Sequence, residues 1–142
     1  MVKELNVFID NKPGRLKAIT SLLNDKKINI RAFTVQDREE FGLMKLIVDK
    51  PDDAYLAISD KGFACALKDI LAIQIKDKPG GLDKFLDVLS YNKINIKDSY
   101  AFVIVSGEYA VLCIEVENIE YVKELLLKTE FKLLGSEDLY NL

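Results

Sequence analysis

The chain contains one sequence pattern twice. The heptapeptide DNKPGRL at Asp10–Leu16 returns as KDKPGGL at Lys76–Leu82, and the tripeptide INI at Ile28–Ile30 returns at Ile94–Ile96. Both pairs are separated by the same offset of 66 residues, counted from Asp10 to Lys76. Solenoid repeats are shorter, roughly 20–50 residues. The repeat therefore predicts two copies of one small domain.

Each copy has the same predicted order of elements. An alternating strand precedes the Pro-Gly turn, an amphipathic helix follows it, and two strands, a second helix and a short last strand complete the copy. The order is βαββαβ twice, in residues 1–68 and 69–142, with only Leu67–Ile70 between the copies. Right-handed crossovers then place both helices of a copy on one face of a four-stranded antiparallel sheet, an α+β, ferredoxin-like fold. The helix predicted at Gly80–Asn92 should bury Leu82, Phe85, Leu86 and Leu89.

Charge and residue types exclude several classes of function. The net charge is −3 and the pI is about 5.1, which argues against nucleic-acid and membrane partners. No apolar run approaches the roughly 18 residues of a spanning helix, and Met1–Asp10 alternates like a strand, so we expect a cytoplasmic protein. Without histidine, Ser-His-Asp and Cys-His catalysis and His-rich zinc sites are excluded. Cys65 and Cys113 are isolated and are predicted to be buried thiols, and we expect no metal and no cofactor.

Two other function classes have candidate residues but are not favoured. RNA-recognition folds share the order βαββαβ, yet they read bases with strand aromatics, and the closest stretch here places Leu43 and Met44 at those positions. An enzyme would need reactive side chains. The candidate carboxylates lie in predicted loops, where charges are usually only solvated; they are Asp10, Asp37, Glu39, Glu40 and Glu108.

The repeated turn has the chemistry of an anion site. Pro13 suits the first position of a helix, and the unpaired N–H groups and positive dipole end of a helix start favour a carboxylate or phosphate. Gly14 and Gly80 carry no Cβ, so a ligand can approach the backbone. Asn11 lies beside the turn, and we expect Asn29, at the start of the next strand, to lie at the same end of the sheet. These groups could hold both ends of an α-amino acid, or they could simply cap and shape the turn.

The pattern of a strand, N/D-K-P-G-x-L, an apolar helix and I-N-I resembles the ACT domain, and nearly the whole chain resembles a tandem ACT-domain protein without an attached catalytic domain. ACT domains are regulatory modules that bind small ligands, most often amino acids, at interfaces between paired domains. The resemblance implies ligand contacts from the residue two before the proline, the glycine after it and the asparagine of I-N-I. These are Asn11, Gly14 and Asn29 in the first copy and Asp77, Gly80 and Asn95 in the second. The predicted first site also includes Lys12, Pro13 and Arg15.

What the resemblance implies is a non-catalytic regulatory module. It would bind an amino acid or similar effector, form a homodimer and act on a regulated enzyme or transcription factor. The second strand of a partner copy would line the pocket, with Ala32–Val35 and Ser99–Phe102 as candidates. The alternative is a structural dimerisation module with a vestigial ligand site.

Two departures from the family pattern carry predictions. Asp77 stands where the first copy has Asn11, and a carboxylate there would repel a ligand carboxylate, so the two sites should be unequal. Lys27 and Lys93 stand before I-N-I, where many family members have glycine in a left-handed turn. A non-glycine residue in that conformation costs on the order of 1 kcal/mol.

Overall fold

The computed structural model describes residues 1–10 and 12–141. Asn11, a predicted ligand residue, therefore lies outside the described residues, as does Leu142. The chain separates into two compact units. One is Lys3–Lys68, and the other is Asp69–Tyr140 together with Met1–Val2.

The first unit has the predicted order of elements. They are β1 (Val2–Ile9), α1 (Arg15–Asp25), β2 (Ile30–Asp37), β3 (Gly42–Val48), α2 (Pro51–Asp60) and the start of β4 (Ala64–Lys76). β3 pairs antiparallel with both β1 and β2, and the strand order is β2-β3-β1-β4. β4 continues without a break from Ala64 to Lys76, so the predicted linker Leu67–Ile70 is wrong.

The second unit repeats this arrangement. After the end of β4 come α3 (Gly81–Tyr91), β5 (Ile96–Val105), β6 (Tyr109–Val116), α4 (Ile119–Leu127), β7 (Leu133–Leu134) and a short, unpredicted α5 (Ser136–Tyr140). β4 pairs antiparallel with β6 and β7, and β6 pairs with β5. The strand order β5-β6-β4-β7 is thus the same as in the first unit. The predicted fold class is confirmed.

Each unit packs its two helices against one face of its own sheet. In the first core, alternate residues of β1 such as Leu5 and Val7 meet Ile19 of α1 and Ile58 of α2. Alternation puts every second side chain on the same face, so one strand supplies a continuous apolar row to the helices. None of the helices in the described part of the chain has the length and apolar character needed to cross a membrane.

Of the four residues of α3 that were predicted to be buried, only two are buried. Phe85 and Leu89 are buried, and the rings of Phe85 and Phe131 pack edge to face with their centroids 5.1 Å apart. Leu82 and Leu86 are instead 46% and 37% exposed, so their predicted burial is wrong. Four residues apart on one side of the helix, these two leucines line clefts beside β5 rather than the core.

The two cysteines are thiols, as predicted. Cys113 is fully buried and Cys65 is half-buried. Burial raises the pKa of the Cys65 thiol, because the thiolate would lose hydration. The protonated form is therefore the one present at neutral pH, and it is a poor nucleophile.

The helices α1 and α3 both end in a left-handed lysine, as predicted. Lys27 and Lys93 each have a φ of 56°. In α1, the N–H of Lys27 donates to Asn24 O at 3.0 Å and the N–H of Ile28 donates to Leu23 O at 2.9 Å. This is the Schellman arrangement, in which glycine normally takes the left-handed position. The end of α2 has the same pattern with Gly62 (φ 88°) in that place.

Replacing Lys27 with glycine is therefore expected to stabilise the protein. Removal of the Cβ relieves the left-handed strain, while glycine also makes the unfolded chain more flexible. The relief of strain is the larger effect, so we expect the free energy of unfolding to rise by about 0.5–1 kcal/mol. Lys26 is the matched control, because it has an ordinary φ of −91°, so Lys26→Gly should cost about 0.5–1 kcal/mol. Urea denaturation measures both; a loss of stability in Lys27→Gly would contradict the assignment of strain.

Candidate ligand-binding site

The segment between β1 and α1 forms a type II turn. The N–H of Arg15 donates to Lys12 O at 3.1 Å, Pro13 holds the second position, and Gly14 holds the third with φ 90° and ψ −14°. A positive φ at the third position is the reason that glycine is required there. The helix begins at Arg15 with Gly14 as its N-cap. The prediction that Pro13 opens the helix is therefore wrong, because the proline belongs to the turn.

The second unit builds the same turn before α3. The N–H of Gly81 donates to Lys78 O at 2.9 Å, and Gly80 has φ 87° and ψ −8°. A Cβ added at Gly14 or Gly80 would meet no described atom within 4 Å. Both glycines are thus needed for backbone conformation rather than for space, and both turns are open to an approaching ligand.

The start of α1 presents backbone donors. The N–H of Arg15 is used within the turn, and the first helical bond runs from Ala18 N to Gly14 O at 3.0 Å. The N–H groups of Leu16 and Lys17 have no acceptor among the described residues. Together with the positive end of the helix dipole, two open N–H groups form a cradle for an anion.

The charges at the two helix starts differ. The first turn of α1 contains no acidic residue, and its exposed side chains include Arg15 and Lys17. α3 has Asp83 in its first turn, at the position of Lys17. Since negative charge is favourable at a helix start and positive charge is not, α3 supplies its own anion. α1 lacks one, and a bound anion would compensate its two cations.

Asp77, the predicted counterpart of Asn11, already has a structural partner. Its Oδ2 accepts a hydrogen bond of 2.8 Å from the N–H of Gly107, in the turn between β5 and β6. Its own N–H donates to Glu108 O at 3.1 Å. The Asp77 carboxylate therefore holds the hairpin beside the second Pro-Gly turn.

Asn29 and Gly14 lie at opposite ends of the first unit. Gly42 of β3 pairs with Ile9, at the end of β1, and with Asp37, at the end of β2. The turn containing Gly14 follows β1 and so lies at this end, whereas Asn29 precedes the start of β2. α1 has 11 residues, which at 1.5 Å each separate its two ends by roughly 16 Å. The prediction that Asn29 lies beside the turn is wrong, because a βαβ crossover returns to the far end of the sheet.

The asparagines of I-N-I nevertheless have open side chains. Asn29 is exposed, and its backbone is fixed by two bonds to Asp49: Asn29 N–H to Asp49 Oδ1 at 2.9 Å, and Asp49 N–H to Asn29 O at 3.1 Å. Asn95 is also exposed, before β5 and at the far end of the second unit from Gly80. Neither asparagine can join the Pro-Gly turn of its own unit around one small ligand.

Clefts lie beside both turns. In the first unit a cleft of about 440 Å³ runs between α1 and β2 and includes Leu16, Ala32 and Phe33. In the second unit a cleft of about 250 Å³ includes Asp77 and residues 101–103 of β5. Some residues of the two predicted second-strand segments, Ala32–Val35 and Ser99–Phe102, thus line clefts within their own units. Among residues 1–10 and 12–141 there is no group of three or more potential metal ligands.

Sequence reasoning missed the contrast between Lys17 and Asp83 and the role of Gly81. Gly81 stands where the first copy has Arg15, and a Cβ there would overlap the carbonyl oxygen of Lys76. Aligning the two copies would have revealed both features, since Lys17 is replaced by Asp83 and Arg15 by Gly81 while the turn beside them is preserved. The consequence of each difference depends on the backbone.

The sequence model of the ACT domain pair matches residues 1–142. The chain belongs to the ACT domain pair family. This confirms the resemblance inferred from the repeated motif. A search of proteins with curated functions finds no match.

Solved structures place this ACT domain pair among similar folds. Protein BT0572 from Bacteroides thetaiotaomicron is 34% identical, with 99% of this chain and 96% of that chain covered and a TM-score of 0.93. The ligand-free regulatory subunit of aspartate kinase from Thermus thermophilus is 17% identical, with 89% of each chain covered and a TM-score of 0.67. The corresponding subunit from Thermus flavus is 14% identical, with 89% and 90% covered and a TM-score of 0.60. At these lower identities the two kinase subunits share the fold.

Proposed function

We propose that this ACT domain pair is a regulatory module without catalytic activity that binds an α-amino acid at the first Pro-Gly turn. The observation that carries the proposal is the start of α1. Its N–H groups at Leu16 and Lys17 have no acceptor among the described residues, and its first turn contains cations but no acid. A ligand carboxylate supplies the missing negative charge. Asn11 is the proposed side-chain contact beside it.

The second turn is proposed to bind the same ligand weakly or not at all. Asp83 already supplies negative charge to the start of α3, and the Asp77 carboxylate would repel a ligand carboxylate while holding Gly107. Two turns of common origin thus have different roles. The first receives the effector, and the second stabilises its own unit.

A homodimer is part of this proposal. Because Asn29 lies roughly 16 Å from the turn of its own unit, a ligand held by both Gly14 and Asn29 needs the asparagine from a partner chain. Ligand binding would then alter contacts between chains, which is a route for transmitting the signal to a regulated enzyme or transcription factor. The regulatory subunits of aspartate kinase named above support this role by their shared fold.

A melting screen against the amino acids tests the proposal. A ligand at 100 times its dissociation constant should stabilise the protein by about 2.7 kcal/mol and raise the melting temperature. We expect one group of chemically related amino acids to do so. If no proteinogenic amino acid at millimolar concentration shifts the melting temperature, the proposal fails, and an intact dimer would then favour a structural dimerisation module.

A further inference from the structure

The cleft between α1 and β2 has the lining of a pocket for hydrocarbon. Its volume of about 440 Å³ is within the roughly 300–1,000 Å³ of small-molecule sites. Leu16 and Thr20 contribute one wall, four residues apart on the same side of α1. Ile30 and Phe33 of β2 contribute the other, and Met44 lies at the base.

Phe33 is the unusual member of this lining. It pairs with Leu46, a fully buried core residue, so it lies on the helix side of the sheet. It is nevertheless 59% exposed, while Met44 below it is 1% exposed. The ring therefore stands at the mouth of the cleft with much of its surface in water. The second copy has Ser99 at this position.

The cleft starts where the proposed carboxylate site lies. Leu16 and Lys17 line it, and these are the residues at the start of α1 whose N–H groups have no acceptor in the described part of the chain. A molecule whose carboxylate binds there can extend its substituent between the helix and β2. On this basis, and resting on the proposed function, we infer that the effector is an amino acid with an aliphatic or unsubstituted aromatic side chain, which occupies this cleft.

The lining argues against basic, amide-bearing and very small side chains. The described lining includes Lys17 and Arg31 but no acidic residue, so a basic ligand side chain would meet like charge. An amide would leave water for a mainly hydrocarbon surface. A second carboxylate would meet opposite charge at Lys17 and Arg31, so L-glutamate is measured as well, and its tighter binding than that of L-norvaline would overturn the inference. A glycine or serine side chain would leave the cleft unfilled.

A homologous series measures this inference directly. Dissociation constants are determined by titration calorimetry for L-alanine, L-2-aminobutyrate, L-norvaline and L-norleucine, each one methylene longer than the last. We expect affinity to rise roughly fourfold with each methylene that is buried. Phe33→Ser should flatten this rise, because it removes most of the apolar surface at the mouth of the cleft. Phe41→Ser is the control, because Phe41 is also an exposed phenylalanine, at 40% against 59% for Phe33, and does not line this cleft.

The outcomes separate this inference from the proposed function. If L-alanine binds but chain length has no effect, or if Phe33→Ser leaves the rise intact, the cleft assignment is wrong and the carboxylate site stands. Phe33→Ser could instead change only the dimer equilibrium in sedimentation, and this would assign the cleft to another copy of the chain and overturn the inference. If no member of the series and no other amino acid binds, the proposed function itself fails.

Discussion

Lys17→Asp is expected to abolish the thermal response to the amino acid without destabilising the unliganded protein. The change places a carboxylate in the first turn of α1, where the helix dipole favours it by about 0.3–1 kcal/mol. The same carboxylate repels the ligand and competes for the open N–H groups. About 2.7 kcal/mol of stabilisation at saturating ligand should therefore disappear. Binding and folding change in opposite directions, so unfolding cannot explain the loss.

The second helix start provides the matched control. Asp83→Lys gives α3 the charge that α1 has at Lys17, since the two residues occupy the same position in the aligned copies. We expect it to destabilise the unliganded protein by about 0.3–1 kcal/mol and to leave the ligand response intact. If Lys17→Asp retains the full response, or Asp83→Lys removes it, then the first turn is not the site. Differential scanning fluorimetry with and without ligand measures both variants.

Gly81→Ala is expected to destabilise the protein strongly for the addition of a single methyl group. A Cβ at Gly81 would overlap the carbonyl oxygen of Lys76, which is backbone and cannot rotate away. The segment between β4 and α3 would have to shift, and this segment contains Asp77, which accepts the hydrogen bond from Gly107. Overpacking of this kind costs about 1–3 kcal/mol.

Arg15→Ala tests the same position in the first unit. A side chain is already accommodated there, so we expect a change within about 0.5 kcal/mol in the unliganded protein. Urea denaturation of both variants gives the comparison. Equal stability of Gly81→Ala and the wild type would show that the turn before α3 is not held as described. That result would also weaken the account of Asp77 as a structural residue.

The duplicated pattern was sufficient to predict the fold. Leu5, Val7 and Ile9 alternate along β1, and all three are buried against the helices. Chirality of the crossovers then leaves one arrangement of helices and strands in each unit. The left-handed lysines before I-N-I were predicted from the resemblance to the family, because many of its members have glycine in a left-handed turn at that position.

Other features could not be predicted, because the periodicity of a sequence does not show how far across the sheet a residue lies or what covers it. Helical spacing gives the angle of Leu82 around α3 but not the width of the sheet beneath it, and this leucine is 46% exposed. Alternation places Asn6 on the face opposite the core, and the structure buries it at 2% exposure beside Glu4, whose Oε1 accepts its amide at 2.8 Å. Sequence patterns assign a face, but they do not say whether that face is covered.

The candidate site was predicted in its parts but not in its assembly. The Pro-Gly turns were identified from residue chemistry alone. The wrong location predicted for Asn29 was avoidable. The parallel strands of a βαβ crossover begin at the same end of the sheet, so Asn29 at the start of β2 lies at the end opposite to the turn that follows β1. The contrast between Lys17 and Asp83 also lay in the sequence. It gained meaning only when both residues were located in the first turn of a helix.

Titration calorimetry with the amino acid that gives the largest melting shift shows most directly whether the first Pro-Gly turn is the ligand site. We expect one binding event per chain, absent in Lys17→Asp and preserved in Asp83→Lys. Two equivalent events per chain would contradict this expectation, because they would make the second turn an equal site despite Asp77 and Asp83. A single event that survives Lys17→Asp would place the ligand elsewhere and contradict the assignment of the first Pro-Gly turn.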